Sequence, residues 1–228
     1  MALSNIESVI AFYDAVADDY NSHMTMADKN TRNLVRDIFK QHVSGGTVLD
    51  FGGGTGLDLP WLLEQYNIIF LEPSLGMRAV ARKNITAGKD KLKFVEHPLI
   101  ISEWSLENLP FPEKVNGVIA NFAVLNCIGN IEEFFKKVAL VCQRNANVVV
   151  TVLDASPLKI WRQYSLRAVL RLLLFGKITV HHQHKGKFHE THVYSAAAIR
   201  KSSGSFFSLK SQVLLPQSDF AVFVFSKK

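Results

Sequence analysis

Val48-Leu-Asp-Phe-Gly-Gly-Gly-Thr-Gly56 decides how this chain is read. Thr47 to Phe51 is a short apolar run broken by one acid, Asp50, and predicts a buried strand. Four glycines in the next five positions predict a tight turn whose backbone can approach a ligand with no Cβ in the way. Leu57 to Tyr66 then reads as a helix, with Pro60 tolerated in its first turn. The start of such a helix offers unpaired N–H groups. A second strand, Ile68 to Leu71, ends at Glu72, twenty residues after Gly52. In a parallel sheet, ligands lie beyond the carboxyl ends of the strands, where an acid can accept from both hydroxyls of a ribose. The plainer reading is a turn that only joins two elements, but strand, turn, helix and acid occur together in the required order. The glycines fall at 52, 54 and 56, with Leu57 where the third glycine of G-x-G-x-x-G would stand, which disfavours a nicotinamide dinucleotide. No G-x-x-x-x-G-K-[ST] is present, which excludes a P-loop.

The alternation continues on both sides of this segment. Ser4 and Glu7 form a capping-box pattern ahead of a helix carrying Ile6, Val9, Ile10, Tyr13, Val16, Ala17 and Tyr20. A polar stretch, Asn21 to Asn30, separates it from a helix over Thr31 to Val43. Beyond Glu72, Leu75 to Ile85 is helical, and Leu92 to Val95 and Val115 to Ala120 are strands. Asn130 caps a helix bearing Ile131, Phe134, Phe135 and Val138, and Val148 to Leu153 is a fifth strand. Near-continuous apolar strands alternating with helices predict an α/β fold, a doubly wound, Rossmann-like, mostly parallel sheet with helices on both faces. After that the pattern changes. Pro157 to Phe175 reads as one long basic-apolar helix, Lys177 to Tyr194 as an irregular histidine-rich stretch or hairpin, and Ser195 to Ser202 as a short helix. Phe206 to Leu215 and Phe220 to Ser226 read as a C-terminal antiparallel hairpin closing the far edge of the sheet.

Twenty-six basic residues against twenty acidic ones give a net charge of +6 in 228 residues, and hydrophobic residues make up 48% of the chain. That apolar content excludes intrinsic disorder and suffices for a core without staples. The two cysteines, Cys127 and Cys142, do not make a disulfide framework, and the expectation is buried thiols in a reducing, cytoplasmic setting. No apolar run reaches the roughly 20 residues of a membrane span.

At these residues the chain resembles the class I S-adenosylmethionine-dependent methyltransferases, in particular those acting on small molecules. The resemblance rests on Val48 to Gly56, Ile69-Phe-Leu-Glu-Pro-Ser74, Leu109-Pro-Phe-Pro112, Gly117 to Ile128 and the opening Phe12-Tyr-Asp-Ala-Val-Ala-Asp-Asp-Tyr20. It covers most of residues 10–154 and implies S-adenosyl-L-methionine as cofactor. It also implies that Asp50, Phe51, Gly52, Gly53, Gly54 and Gly56 hold the methionine part and Glu72 the ribose. Pro73 and Ser74 would flank the adenosine, and Met77 would sit near the adenine. Ser105, with Leu106 beside it, stands where the family has an acid for the adenine amino group, and Asn116 stands in place of a second family acid. Asn121 and Phe122 fall nearest the transferred methyl, and Tyr20 belongs to a lid over the methionine end. The implied organisation is one domain over 1–228: a helical lid (1–45), a cofactor-binding core (46–154), an insertion or substrate lid (155–194) and strands completing the sheet (195–228).

Methyl transfer to an oxygen needs alignment, exclusion of water and, for a hydroxyl, a general base. His181, His182, His184, His189 and His192 crowd one short stretch, and His184, His189 and His192 are the expected catalytic candidates. Their spacing matches no helical zinc motif, so no metal is expected. Residues 157–175 read either as the roof of the substrate pocket, the preferred reading, or as a basic amphipathic helix in peripheral contact with an anionic membrane. Either way the expected partner is a small, hydrophobic or aromatic metabolite, methylated on oxygen or next on carbon. No nucleic-acid partner is expected, because Asn121-Phe-Ala-Val124 lacks the prolines of amino-methylating DNA enzymes and no basic patch interleaved with aromatics appears. The alternative from another class is a non-catalytic protein that keeps the methyltransferase fold for binding or regulation.

Overall fold

A computed structural model describes residues 5–96, 101–105, 108–109, 111–184, 186–215 and 218–228. Two helices lead in, α1 (Asn5–Val16) and α2 (Met26–His42). The core follows as β1 (Thr47–Phe51), α3 (Leu59–Gln65), β2 (Asn67–Leu71), α4 (Leu75–Asn84), β3 (Leu92–Phe94), β4 (Val115–Ala120), α5 (Ile131–Val141) and β5 (Cys142–Leu153). Next come α6 (Pro157–Gln163), α7 (Leu166–Phe175), β6 (Lys177–His184) and β7 (Lys187–Tyr194). The chain ends with α8 (Ala196–Ser203), β8 (Phe207–Leu214) and β9 (Phe220–Lys227).

Seven strands form one sheet in the order β3-β2-β1-β4-β5-β9-β8. β1 to β5 pair in parallel, and β9 runs antiparallel between β5 and β8, so the expected C-terminal hairpin does complete the sheet. Because side chains alternate along a strand, each strand feeds two cores. Leu49, Val118, Val148, Val150 and Phe225 point into one with α5 and α8, while Val48, Ile119, Val149 and Val224 point into the other with α2 and α3. The order reverses between β1 and β4, and such a switch point opens a crevice at the carboxyl ends of the strands.

Several boundaries differ from expectation. α2 begins at Met26, inside the stretch read as polar linker, because Thr25 and Asp28 form a reciprocal capping box. β5 begins six residues early, at Cys142, through an irregular pairing with β4 and a left-handed Asn145. The helix expected over 157–175 is two helices: Ser165 is extended and its hydroxyl caps α7 by accepting from Ala168 N–H. The histidine-rich stretch takes the hairpin alternative, as a regular two-stranded ladder, β6 on β7, turned at Gly186 with φ +73°. The Ser4 end of the first capping box lies outside the described residues.

One carboxylate ties α1 to the start of α4. Asp14 Oδ1 accepts from the Ser74 hydroxyl at 2.5 Å and from Gly76 N–H at 2.9 Å, at the first turn of α4. The contact is close because position 76 has no side chain; a Cβ there would lie 3.0 Å from Ala17 Cβ. Asp14→Ala is expected to cost about 1–2 kcal/mol. Hydrogen exchange should accelerate in α1 while β1, β4 and β5 keep their protection, and equal loosening of both would show that Asp14 does not act locally.

Candidate active site

The glycine turn after β1 is built for close approach. Gly52 has φ +69°, and a Cβ there would lie 2.6 Å from Val124. At Gly53 a Cβ would lie 2.2 Å from the Phe70 ring and 2.7 Å from Asp50 Oδ2, so the turn sits flat on those two side chains. Gly54 differs, since a Cβ there would meet nothing within 4 Å. Glu72 fastens this turn to the next one: Oε2 accepts from Gly54 N–H at 2.9 Å and Oε1 from Ser74 N–H at 2.7 Å. Ser74 in turn caps α4 by accepting from Met77 N–H.

A cavity opens over the turn. Asp50, Phe51, Gly52, Gly53, Gly54, Glu72, Pro73, Met77, Asn121, Phe122 and Tyr20, all assigned to the cofactor in the sequence reading, line it. Its cover is α1, through Ile6, Val9 and Tyr13, and Arg32, Asp58, Ile101 and Cys127 are among the other residues of the wall. A second cavity shares Tyr20, Arg32, Leu57 and Phe122 with the first and adds Phe12, Val16, Asp19, His23, Met24 and Asp28.

Other expected residues stand back from the first cavity. Gly56 donates its N–H to Gly53 O and closes the turn from behind. Ser74 is buried and occupied by Asp14 and the α4 cap. The Ser105 hydroxyl accepts from Asn108 N–H in a local turn and is not among the lining residues, and Leu106 lies outside the described residues. Asn116 lies at the amino end of β4, where its Oδ1 accepts from Thr47 N–H at 2.9 Å, so the acid missing there is missing from the end of the sheet away from the cavity.

The hairpin histidines stand apart from the glycine turn, since none of the described side chains of residues 155–194 lines either cavity. His189 packs against Phe12 with ring centroids 4.2 Å apart and stacks on His182 at 5.1 Å. His192 is buried with Nδ1 3.0 Å from the Thr179 hydroxyl. Burial lowers both of their pKa values below the usual imidazole range. His184 pairs with Lys187 at the tip of the ladder, and its side chain lies outside the described atoms. The ladder presses its β7 face onto α1, so it supports the lid rather than facing the site. Residues 157–175, read as a pocket roof, line neither cavity, and α1 covers the first. Ile160, Val169 and Leu172 turn inward to a small core of their own with Ile178 and Val193.

What the sequence reading missed is a polar chain across the floor. Thr151 donates its hydroxyl to Asn121 Oδ1 at 2.9 Å, and Asn121 Nδ2 donates to Asp58 Oδ2 at 2.9 Å. Arg32 Nη1 meets the same oxygen at 2.7 Å, with its guanidinium 3.9 Å over the Phe122 ring. Asp58 sits two residues beyond the last glycine of the motif, close enough for the motif to have pointed to it. Arg32 lies on a helix that carries no motif.

The carboxyls here are strained electrostatically. Burial pushes Asp50 well above the usual carboxylate range, and neighbouring Asp58 adds to the shift; its Oδ2 is buried with no hydrogen-bond partner. Burial also lifts Glu72 to about 7, against the pull of its two N–H donors. Tyr13, 3.7 Å from Cys127 Sγ, is pushed up by that thiol and by burial, and burial takes Cys127 to about 11.

A protein-family model described as a methyltransferase domain matches residues 20–206. No curated protein matches the chain in sequence. Among solved structures, DhpI bound to SAH superposes with a TM-score of 0.75 at 15% identity, covering 100% of this chain and 98% of that one. The 1,6-didemethyltoxoflavin-N1-methyltransferase of Burkholderia thailandensis gives 0.67 at 12% identity, over 100% and 92%. The glycopeptide N-methyltransferase MtfA gives 0.64 at 13% identity, over 86% and 90%. With more than half its length matched, this chain belongs to the methyltransferase-domain family.

Proposed function

We propose that the protein transfers a methyl group from S-adenosylmethionine to an oxygen, or next a carbon, of a small hydrophobic or aromatic metabolite. The observation that carries this reading is the pair of adjoining cavities. One is walled by the glycine turn, Asp50 and Glu72, and the other by Phe12, Val16, Met24 and Phe122. The residues present fit the cofactor. Each Glu72 oxygen keeps a lone pair for a ribose hydroxyl after accepting its backbone N–H. Asp50 Oδ2, orphaned and buried, suits the ammonium of the methionine end, and Arg32 its carboxylate. The open space at Gly54 leaves room for the ligand against bare backbone.

The cofactor supplies a sulfonium-activated methyl, so the chain's own task is alignment and dryness. Tyr13, Tyr20 and the α1 cover keep water out, and Phe122 forms the shared wall between the two cavities. An acceptor hydroxyl needs its proton removed, and His23, the histidine on the acceptor-side wall, takes over the general-base role first sought in the hairpin.

Two predictions follow from this geometry. Because Glu72 titrates near 7 when folded and 4.5 is its ordinary value, the folded state holds a proton there that the unfolded chain releases. Stability from this group therefore falls as pH rises between those values. Ligand binding runs the opposite way, since ionised Glu72 is the better acceptor for two hydroxyls. Titration calorimetry should show S-adenosylhomocysteine binding more tightly one pH unit above that midpoint than one unit below. Glu72→Gln should flatten the dependence and weaken binding about tenfold or more. A flat wild-type profile would remove Glu72 from ribose binding.

The second concerns the acceptor. Incubation with S-adenosylmethionine and a panel of phenols, enols and aliphatic alcohols, read by mass spectrometry, should yield a methylated product from an apolar member. His23→Gln should lower kcat on a hydroxyl acceptor by about a hundredfold or more while leaving S-adenosylhomocysteine affinity unchanged. Methylation confined to amines, or an unaffected kcat, would move the acceptor atom to nitrogen and end the role of His23.

A further inference from the structure

The helix pair α6–α7 turns a broad apolar face to solvent. Leu166, Leu170, Leu173 and Leu174 recur at helical spacing on one side of α7, and all are exposed, Leu174 at 75%. Phe175 at 74% ends the helix, and Trp161 at 57% and Leu158 are exposed on the adjoining α6. Contiguous apolar exposure of this kind marks a contact surface.

Charge identifies what it contacts. Residues 155–189 hold seven lysines and arginines and no acid, and the rest of the chain has 19 basic residues against 20 acidic, so this segment carries the whole positive excess. Arg162, Arg167 and Arg171 are exposed and make no ion pair among the described residues. Arg167 and Arg171 border the leucine face, one turn apart. Leucines with a tryptophan on one side and arginines along the border match a lipid interface, where apolar side chains enter the acyl boundary and guanidinium groups stay among anionic headgroups. No helix among the described residues is long and apolar enough to cross a membrane, so the contact is peripheral.

The pair is also set rigidly enough to dock. Lys159 fixes α6 to the core through Asp154 at 3.2 Å and Ser218 O at 2.6 Å, and Ile160, Val169 and Leu172 seat it on the β6–β7 ladder. Five of α7's eight hydrophobic side chains nonetheless stay outside that small core, which is more apolar surface than packing requires.

We propose that α6–α7 is a docking surface for an anionic lipid bilayer. The proposal does not depend on methyl transfer. The test is flotation of the full chain with vesicles of equimolar phosphatidylglycerol and phosphatidylcholine, and with vesicles of phosphatidylcholine alone. Binding should be confined to the anionic vesicles and weaken with salt. Arg162→Glu/Arg167→Glu/Arg171→Glu should lower it by about a hundredfold, and Leu170→Glu/Leu174→Glu should abolish it. Both changes lie on exposed positions, so thermal midpoints should stay at the wild-type value, which separates lost docking from lost folding. No flotation, equal flotation with neutral vesicles, or flotation unchanged in both variants would overturn the proposal. So would a concentration-dependent dimer, seen by ultracentrifugation and dissolved by the leucine changes, in a chain that does not float; the occupant would then be a second copy.

Discussion

Both oxygens of the Glu72 carboxylate are taken up by the backbone that the carboxylate organises, and much of the molecule is arranged around that double contact. One oxygen fixes Gly54 in the turn after β1; the other fixes Ser74 at the start of α4. Without it, two adjacent loops at the carboxyl edge of the sheet would be free to part. Arg78, reaching back to the Glu72 carbonyl at 2.5 Å, holds the same corner from inside α4. The lid depends on the corner as well, since Asp14 grips α1 to Ser74 and Gly76. Cover, turn and acid are thus one hydrogen-bonded unit, and the position of α1 over the cavity follows from the shape of the corner beneath it.

A second constraint lies at the end of β4. Phe122 and Ala123 both adopt positive φ, +55° and +64°, which costs a residue with a Cβ roughly 1–2 kcal/mol. The conformation is over-determined by its neighbours. Phe122 N–H donates to Asn121 Oδ1 and Ala123 N–H to Thr151 O, and the Phe122 ring is held between Arg32 and Phe220. The strained corner turns an aromatic ring onto the wall common to both cavities. A relaxed loop at that point would lack the same fixed partition between the proposed cofactor and acceptor sites.

The parts of this arrangement that local chemistry dictates could be read from the residues. Strand, glycine turn, helix and terminal acid follow one another in β1 to Glu72, and the apolar strands announce burial on both faces. Asn130 caps α5 as its residue type suggests. The failures come from tertiary placement. Five histidines in a dozen residues look chemical, yet ladder pairing turns His192 inward and lays His189 against Phe12. Arg32 carries no local signature and enters the site only because α2 crosses the end of the sheet, bringing it within 2.7 Å of Asp58. The serine cap that splits 157–175 was hidden by an apolar periodicity that runs on either side of it.

Charge explains why this cavity suits a cationic ligand. Asp50, Asp58 and Glu72 all line it, and among the described residues Arg32, already committed to Asp58, is the only lysine or arginine on its wall. Burial penalises the ionised forms of Asp50 and Glu72, which is why both rise above their usual range. A neutral or anionic ligand would leave that penalty in place. In the proposed reading the sulfonium and the ammonium of the cofactor offset it, and Arg32 meets the carboxylate. The demethylated product has lost the sulfonium charge, so it recovers less of the penalty than the methyl donor does. In the proposed reading, the same buried acids therefore favour the methyl donor over its demethylated product.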